Sequence, residues 1–237
     1  MRLETLLDLI RQRRTTRGFV PSELTDEQAR TLVEAARFAP TGGNSQPWEF
    51  VFVCGKANRE AVIETLERAR EGFQAAHPNH HVTAKAYLQN ASALVAVLGD
   101  PRCDPRLGLS DVLKYPDPRD YRWPEYMFFL GIGAAVENLL LAATAMGLGG
   151  VWLTTDVLDL EDQLRRLLGV PEPLRVVSLI AVGRPSKDFP IPFKRETDRL
   201  LHLERYDPAK MRTDAEILAV PHVLAGRIGR RSMANGH

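Results

Sequence analysis

Apolar positions at Leu3, Leu6, Leu7 and Ile10 repeat with the i, i+3, i+4, i+7 spacing of one helical face, so the chain opens on an amphipathic helix. That helix runs out into the basic stretch RQRRTTRGF, residues 11–19. Thr25 and Gln28 hold the positions of a capping box and start a second helix. Its apolar face is Ala29, Leu32, Val33 and Ala36, and Pro40 stops it. The pattern then changes period. Residues 40–45 (Pro-Thr-Gly-Gly-Asn-Ser) are small and flexible, and they lead directly into Phe50–Cys54, an apolar run that predicts a buried strand. Residues 57–72 predict a helix, and HPNHH (77–81) a polar turn before another short helix. Ala93–Leu98 is a second buried strand.

Residues 100–124 are rich in Pro, Asp and Arg and read as a long surface loop, a length often used for lids or binding loops. After them the stretch 127–150 is long and apolar enough to be weighed as a membrane span. Glu137 and Asn138 near its middle, and its many Gly and Ala residues, favour a buried helix packed closely on another helix. Gly150–Thr155 is a third strand, Asp159 is placed to cap a helix ending at Leu168, and Arg175–Val182 is a fourth strand. The last thirty residues carry no core-sized apolar face, and neither an internal repeat nor a Ser/Gly linker is present. The pattern predicts one α+β domain with a peripheral C-terminal arm.

Composition narrows the classes of function. A chain of 237 residues, 44% hydrophobic and 26% charged, can bury a substantial core. A net charge of +1 gives no global field to recruit nucleic acid or membrane. Cys54 and Cys103 lie far apart and outside any metal-ligand spacing, which suits a reducing compartment. Glu4 and Asp8 interrupt what would be the apolar core of a signal peptide, so the cytoplasm is the expected location.

Three stretches invite chemistry. RQRRTTR places Arg11, Arg13, Arg14 and Arg17 around Thr15 and Thr16. It reads as a solvated helix end, as a phosphate-capturing set of guanidinium forks with a hydroxyl, or as a nucleic-acid patch; near-neutral overall charge weakens the last. GIGAAV (131–136), with Asp156 beyond it, imitates a dinucleotide fingerprint but lacks the third Gly and a preceding strand. Its glycines read instead as points of close helix–helix approach. The histidines form no metal pair, and no G-x-S-x-G elbow is present. A phosphate-binding candidate without a nucleophile or acid–base pair suggests that a cofactor carries the chemistry.

RRTTRGF followed by AARFAPTGGNSQPWEFVFV resembles the N-terminal signature of the FMN-dependent nitroreductase superfamily. AAVENLLLAATAMGLGGVWLTT resembles its central dimer helix and following strand, and AVGRPSKDFPIPFKR its final Gly-x-Pro segment. The resemblance spans about residues 5–206. It implies a mostly antiparallel central sheet flanked by helices, in an intertwined homodimer with FMN at the subunit interface. A domain over residues 1–206 would be followed by an extension, 207–237, that wraps the partner.

Position by position, the resemblance assigns FMN binding to Arg13, Arg14, Thr15 and Arg17, to Pro40, Thr41, Gly42 and Asn44 in a loop donated by the partner subunit, to Leu153, Thr154 and Thr155 against the flavin ring, and to Arg195 on the phosphate. Gly131 stands where many members have Asp, and Lys85 is the nearest candidate for a second pyrimidine-side lysine. The implied activity is ping-pong two-electron transfer from NADH or NADPH through FMN to a small electron-poor acceptor such as a nitroaromatic or quinone. Alternatives are a reductive dehalogenase, a flavin-cleaving lower-ligand synthase, or a flavin-storage protein with little turnover.

Overall fold

The computed structural model describes residues 2–78, 82–103, 122–154 and 159–219, with the side chains of 122–124, 154 and 218 left aside. The chain forms two compact units, Met1–Phe189 and Pro190–His237.

In the first unit the helix predicted at the start is α1, Leu3–Gln12, and β1 is a two-residue strand, Phe19–Val20, that the hydrophobic pattern does not signal. Helix α2, Asp26–Ala36, begins with the full capping box: Thr25 Oγ1 accepts from the Gln28 N–H at 3.1 Å, and Gln28 Oε1 accepts from the Thr25 N–H at 3.0 Å. It ends at Ala36, before Pro40, because the chain turns through Phe38 and Ala39. Then come β2 (Trp48–Val53), α3 (Lys56–Ala76), β3 (Ala93–Gly99), α4 (Arg122–Ala145), β4 (Gly149–Thr154), α5 (Leu160–Leu168) and β5 (Arg175–Pro185).

The sheet is antiparallel at every strand pair. β3 pairs with β2 on one side and with β5 on the other. The far edge of β5 is shared: β4 pairs along it from Ser178 to Gly183, and β1 takes Arg184 and Pro185. Alternation along β3 sets the layers. Leu94, Ala96 and Leu98 face Val62 and Leu66 of α3 and Leu160 and Leu164 of α5. Ala93, Val95 and Val97 face Leu32 and Ala36 of α2 and Ile132, Val136 and Leu139 of α4. Both faces are therefore covered, which is why β3 reads as a continuous apolar run.

Helix α4 includes a segment, Glu125–Ala145, long and apolar enough by length and composition to cross a membrane. Its inner side packs on α2 and the sheet, and Asn138 donates to the Ala35 carbonyl at 3.2 Å. Tyr126 and Leu130 remain exposed. The helix closes in a Schellman motif: Gly147 lies at φ +71°, Leu148 N–H donates to Ala143 O at 2.9 Å and Gly147 N–H to Thr144 O at 3.0 Å. Asp159 precedes α5 as expected but does not cap it. Its backbone is left-handed (φ +57°), and its side chain makes no cap hydrogen bond.

The second unit holds 3-10 turns at Thr197–Arg199 and Pro208–Lys210 and the helix α6, Asp214–Ala219. Ile191, Phe193, Leu200, Leu201 and Leu203 within it are exposed.

Candidate functional site

The basic segment is built into the sheet edge. After α1 the backbone extends at Arg13 (ψ 130°), Thr15 forms a parallel bridge with Gly150, and Thr16 N–H donates to the Gly150 carbonyl at 2.9 Å. Thr16 is buried against Gly149, where any Cβ would overlap the threonine side chain. A Cβ on Gly150 would lie 2.5 Å from Leu140 Cδ2. These two glycines let the segment and α4 close on β4 from opposite directions. With Thr16 turned inward, the alternation of extended backbone turns Thr15 and Arg17 outward, and both are exposed.

The arginines are engaged differently. Arg13 Nε pairs with Glu137 Oε1 of α4 at 3.0 Å. Arg14 Nη1 donates to the carbonyls of Arg13 (2.8 Å) and Arg11, while its Nε is buried with no partner among the described residues. Arg17 hydrogen-bonds the Tyr87 oxygen and lies close enough to Lys85 to repel its charge. Burial pushes the Lys85 ammonium below its ordinary value; Arg17 and Arg70 add to this, and Glu67 opposes it. Burial also pushes the Tyr87 phenol up. Burial acts to raise Glu67, but the Arg70 side chain and the Lys85 N–H bonding its carboxylate outweigh it and hold the group low. Glu67 is thus committed to Arg70 and to backbone, which leaves Arg17 and Lys85 as neighbouring cations suited to an anion.

The loop at 40–46 is a 3-10 turn, Gly42–Asn44, with left-handed backbone at Gly43 (φ +63°), Asn44 (+55°) and Gln46 (+47°). Thr41 ties it together, its carbonyl accepting from Asn44 N–H and its hydroxyl from Gln46 N–H, both at 3.2 Å. Pro40, Gly43 and Asn44 are exposed or at the rim, and the loop leans on α4. A Cβ at Gly131 would lie 2.9 Å from Thr41 Cγ2 and 3.7 Å from the Pro40 carbonyl. Gly131 therefore makes room for a loop, whereas a Cβ at Gly133 would meet the Trp152 ring at 3.7 Å, an ordinary contact distance. At Gly131 this corrects the expectation of helix–helix approach and gives the glycine a reason: a side chain at this position would displace Thr41.

Leu153 is buried in the sheet opposite Leu179, so it supports the strand end from beneath. Thr154 pairs by backbone with Ser178, and Thr155 lies outside the described residues. Ser178, next to a bulge at Val177, keeps a buried hydroxyl with no partner among the described residues. Arg195 belongs to the second unit, where its Nη2 donates to the Arg199 carbonyl at 2.9 Å. Most of the 100–124 loop and residues 79–81 lie outside the described residues. Among the described residues no group of His, Cys, Asp and Glu could hold a metal ion. Burial raises both thiols, Cys54 and Cys103, away from reactivity.

Sequence reasoning missed Glu137 as the partner of Arg13, and it missed the Glu67–Lys85–Tyr87 surround of Arg17. Lys85 had only its approximate position in the chain to recommend it, because a 3-10 turn (Ala86–Leu88) with no periodic signal carries it there.

Residues 10–184 match the nitroreductase family, and the chain belongs to it. It is 32% identical over 209 residues to a provisionally named NADH dehydrogenase/NAD(P)H nitroreductase of Archaeoglobus fulgidus, covering 86% of this chain and 100% of the relative. It is equally 32% identical over 197 residues to a 5,6-dimethylbenzimidazole synthase of Rhodospirillum rubrum, covering 81% and 86%. Among solved structures, the fold matches the NADPH:FMN oxidoreductase of Vibrio harveyi complexed with NAD+, with a TM-score of 0.66, 20% identity, and coverage of 98% of this chain and 92% of that one. The fold is the nitroreductase fold, mixed α+β around an antiparallel sheet, and family membership makes the chain an oxidoreductase.

Proposed function

We propose that this protein is an FMN-dependent NAD(P)H oxidoreductase that reduces nitroaromatics, quinones or similar electron-poor acceptors by ping-pong two-electron transfer. The observation that carries the reading is the segment Arg13–Arg17, fixed to the edge of β4 and presenting cations and a hydroxyl. The residues fit a flavin phosphate and ring. Arg14 offers a buried Nε without a partner among the described residues, Thr15 an exposed hydroxyl, and Arg17 with Lys85 a paired cationic charge. When bound, FMN supplies hydride acceptance from a nicotinamide and hydride donation to the acceptor.

The chain's own work is binding and electrostatics. Arg14 and Thr15 would hold the phosphate dianion. Arg17 and Lys85 would stabilise negative charge at the pyrimidine edge, where two-electron reduction places it. Tyr87 holds Arg17, and Glu137 holds Arg13 against α4. The small residues of the 40–45 loop admit close backbone approach.

The site is completed by a second copy of the chain. Support comes from the apolar side chains left uncovered: Leu3, Leu7 and Ile10 on α1, which buries none of its residues, and Tyr126, Phe129 and Leu130 on α4. The free Cys54 and Cys103 are in keeping with a cytoplasmic protein.

The visible spectrum of the purified protein tests the reading. Flavin absorption that bleaches rapidly with NADH or NADPH under anaerobic conditions is expected. A colourless protein that rejects added FMN overturns it, and slow bleaching without acceptor turnover would point to storage. The similarity to a 5,6-dimethylbenzimidazole synthase favours a second reading, oxidative cleavage of the flavin itself. Stoichiometric loss of flavin absorbance when reduced protein meets oxygen would select it.

A further inference from the structure

Three short segments of the first unit enclose a cleft of about 490 Å³, none of whose lining residues belongs to the proposed flavin site. They are the turn after β1 (Ser22, Glu23), the first turn of α3 (Lys56, Arg59) and the turn before β3 (Gln89, Asn90). Ser22 and the buried Ser92 tie the first segment to the third, their hydroxyls 2.8 Å apart. Arg59 ties the second to the third: its Nη1 donates to the Cys54 carbonyl and, at 3.5 Å, to that of Ser92. The guanidinium is thereby held in one orientation. Its Nε is buried without a partner, and its Nη2 makes no hydrogen bond, among the described residues. Lys56 lies 3.8 Å from Glu60 in an exposed pair, too far for a firm hydrogen bond, so its ammonium remains available. The side chains of Glu23, Gln89 and Asn90 have no hydrogen-bond or ion-pair partner among the described residues.

These unpaired groups are of three kinds, and together they describe a ligand. A fixed guanidinium beside an ammonium takes a carboxylate, whose two oxygens match the guanidinium fork. Carboxamides both donate and accept, and an ionised Glu23 only accepts, a set that suits hydroxyl groups. Two cations against one carboxylate leave a single positive charge, the complement of a monoanion and one short of a phosphate dianion. The volume is that of a small-molecule site. We propose that this cleft binds a small polyhydroxylated carboxylate of the sugar-acid kind. Its carboxylate lies at Arg59 and Lys56, and its hydroxyls meet Glu23, Gln89 and Asn90. The guanidinium is pinned before the ligand arrives, so little ordering is lost there on binding.

Calorimetric titration of the FMN-saturated protein with gluconate tests this, against glucose, which lacks the carboxylate, and hexanoate, which lacks the hydroxyls. Gluconate is expected to bind about tenfold or more tighter than either, the worth of one charge-assisted hydrogen bond. Lys56→Gln is expected to narrow the margin over glucose, and Gln89→Ala the margin over hexanoate; both side chains are exposed, so the fold should survive. Arg59→Met is expected to abolish gluconate binding. Where its thermal midpoint shows that it does not fold, the two exposed variants decide. Absence of gluconate binding, or equal binding of gluconate with glucose or with hexanoate, overturns the proposal. An undiminished margin in either exposed variant does the same. Inorganic phosphate bound as tightly as gluconate also overturns it, because the cleft would then take any anion. So does gluconate binding that appears only without FMN, because the carboxylate would then occupy the arginines of the flavin site. Protein that held no flavin would fail the oxidoreductase reading separately, and its titration would still return one of the other results.

Discussion

Arg14 is half-buried, spends one terminal nitrogen on local carbonyls and has no partner for its Nε among the described residues. A group in that condition is costly until a ligand arrives. Arg14→Ala should therefore weaken FMN binding by about tenfold to a hundredfold, the worth of a hydrogen bond to a charged group. The far-ultraviolet circular dichroism should be unchanged, and a collapse of that signal would mean the side chain supports the fold instead. Lys85 makes the complementary case. Its pKa is lowered by burial, so between that lowered value and the ordinary 10.5 the unfolded chain binds more protons than the folded one. Stability of flavin-free protein should accordingly rise with pH across that interval. Lys85→Met should flatten that rise, increase the thermal midpoint at neutral pH and reduce FMN affinity. A lower midpoint in the variant would show that the Glu67 attraction outweighs the burial cost.

At the scale of elements, the glycines of β4 are the tightest joint. Gly149→Val would press against Thr16 and should cost about 1–3 kcal/mol in denaturant unfolding, with FMN affinity falling because Thr15 and Arg17 move with Thr16. Wild-type affinity in a destabilised variant would uncouple the segment from the site. This scale also shows what the sequence could convey. The capping box at Thr25–Gln28, the amphipathic α1 and the doubly buried β3 were legible because each is encoded within a few consecutive residues. The strand β1 was not, since two residues carry no periodicity and Phe19–Val20 becomes a strand only by pairing with Arg184 and Pro185. Asp159 fails as a cap for a related reason: its identity suits the role, but a left-handed backbone turns the side chain away. In the site, the arginine cluster announced itself through local density. The ion pair of Arg13 with Glu137 and the enclosure of Arg17 by Lys85 and Tyr87 are long-range contacts that no spacing rule encodes.

For the whole molecule, the exposed apolar side chains of α1 and α4 set the expectation. If a second copy covers them, folding and association are linked, and the thermal midpoint should increase with protein concentration. Leu130→Glu, which places a charge on a side chain 66% exposed in the single chain, should shift sedimentation toward the monomer and release flavin together with it. Monomeric wild-type protein that holds FMN at full strength would contradict the shared site.

The bridge from Thr15 to Gly150 also bears on how the protein is made. Residues 13–20 leave the ribosome long before Glu137, Gly150, Arg184 and Pro185, the residues that seat them against α4 and the sheet. A nascent chain thus carries this basic stretch without its place in the sheet until β4 and β5 have emerged. The edge proposed to bind the cofactor precedes in the chain both strands that seat it, and it can join the sheet only after they are made.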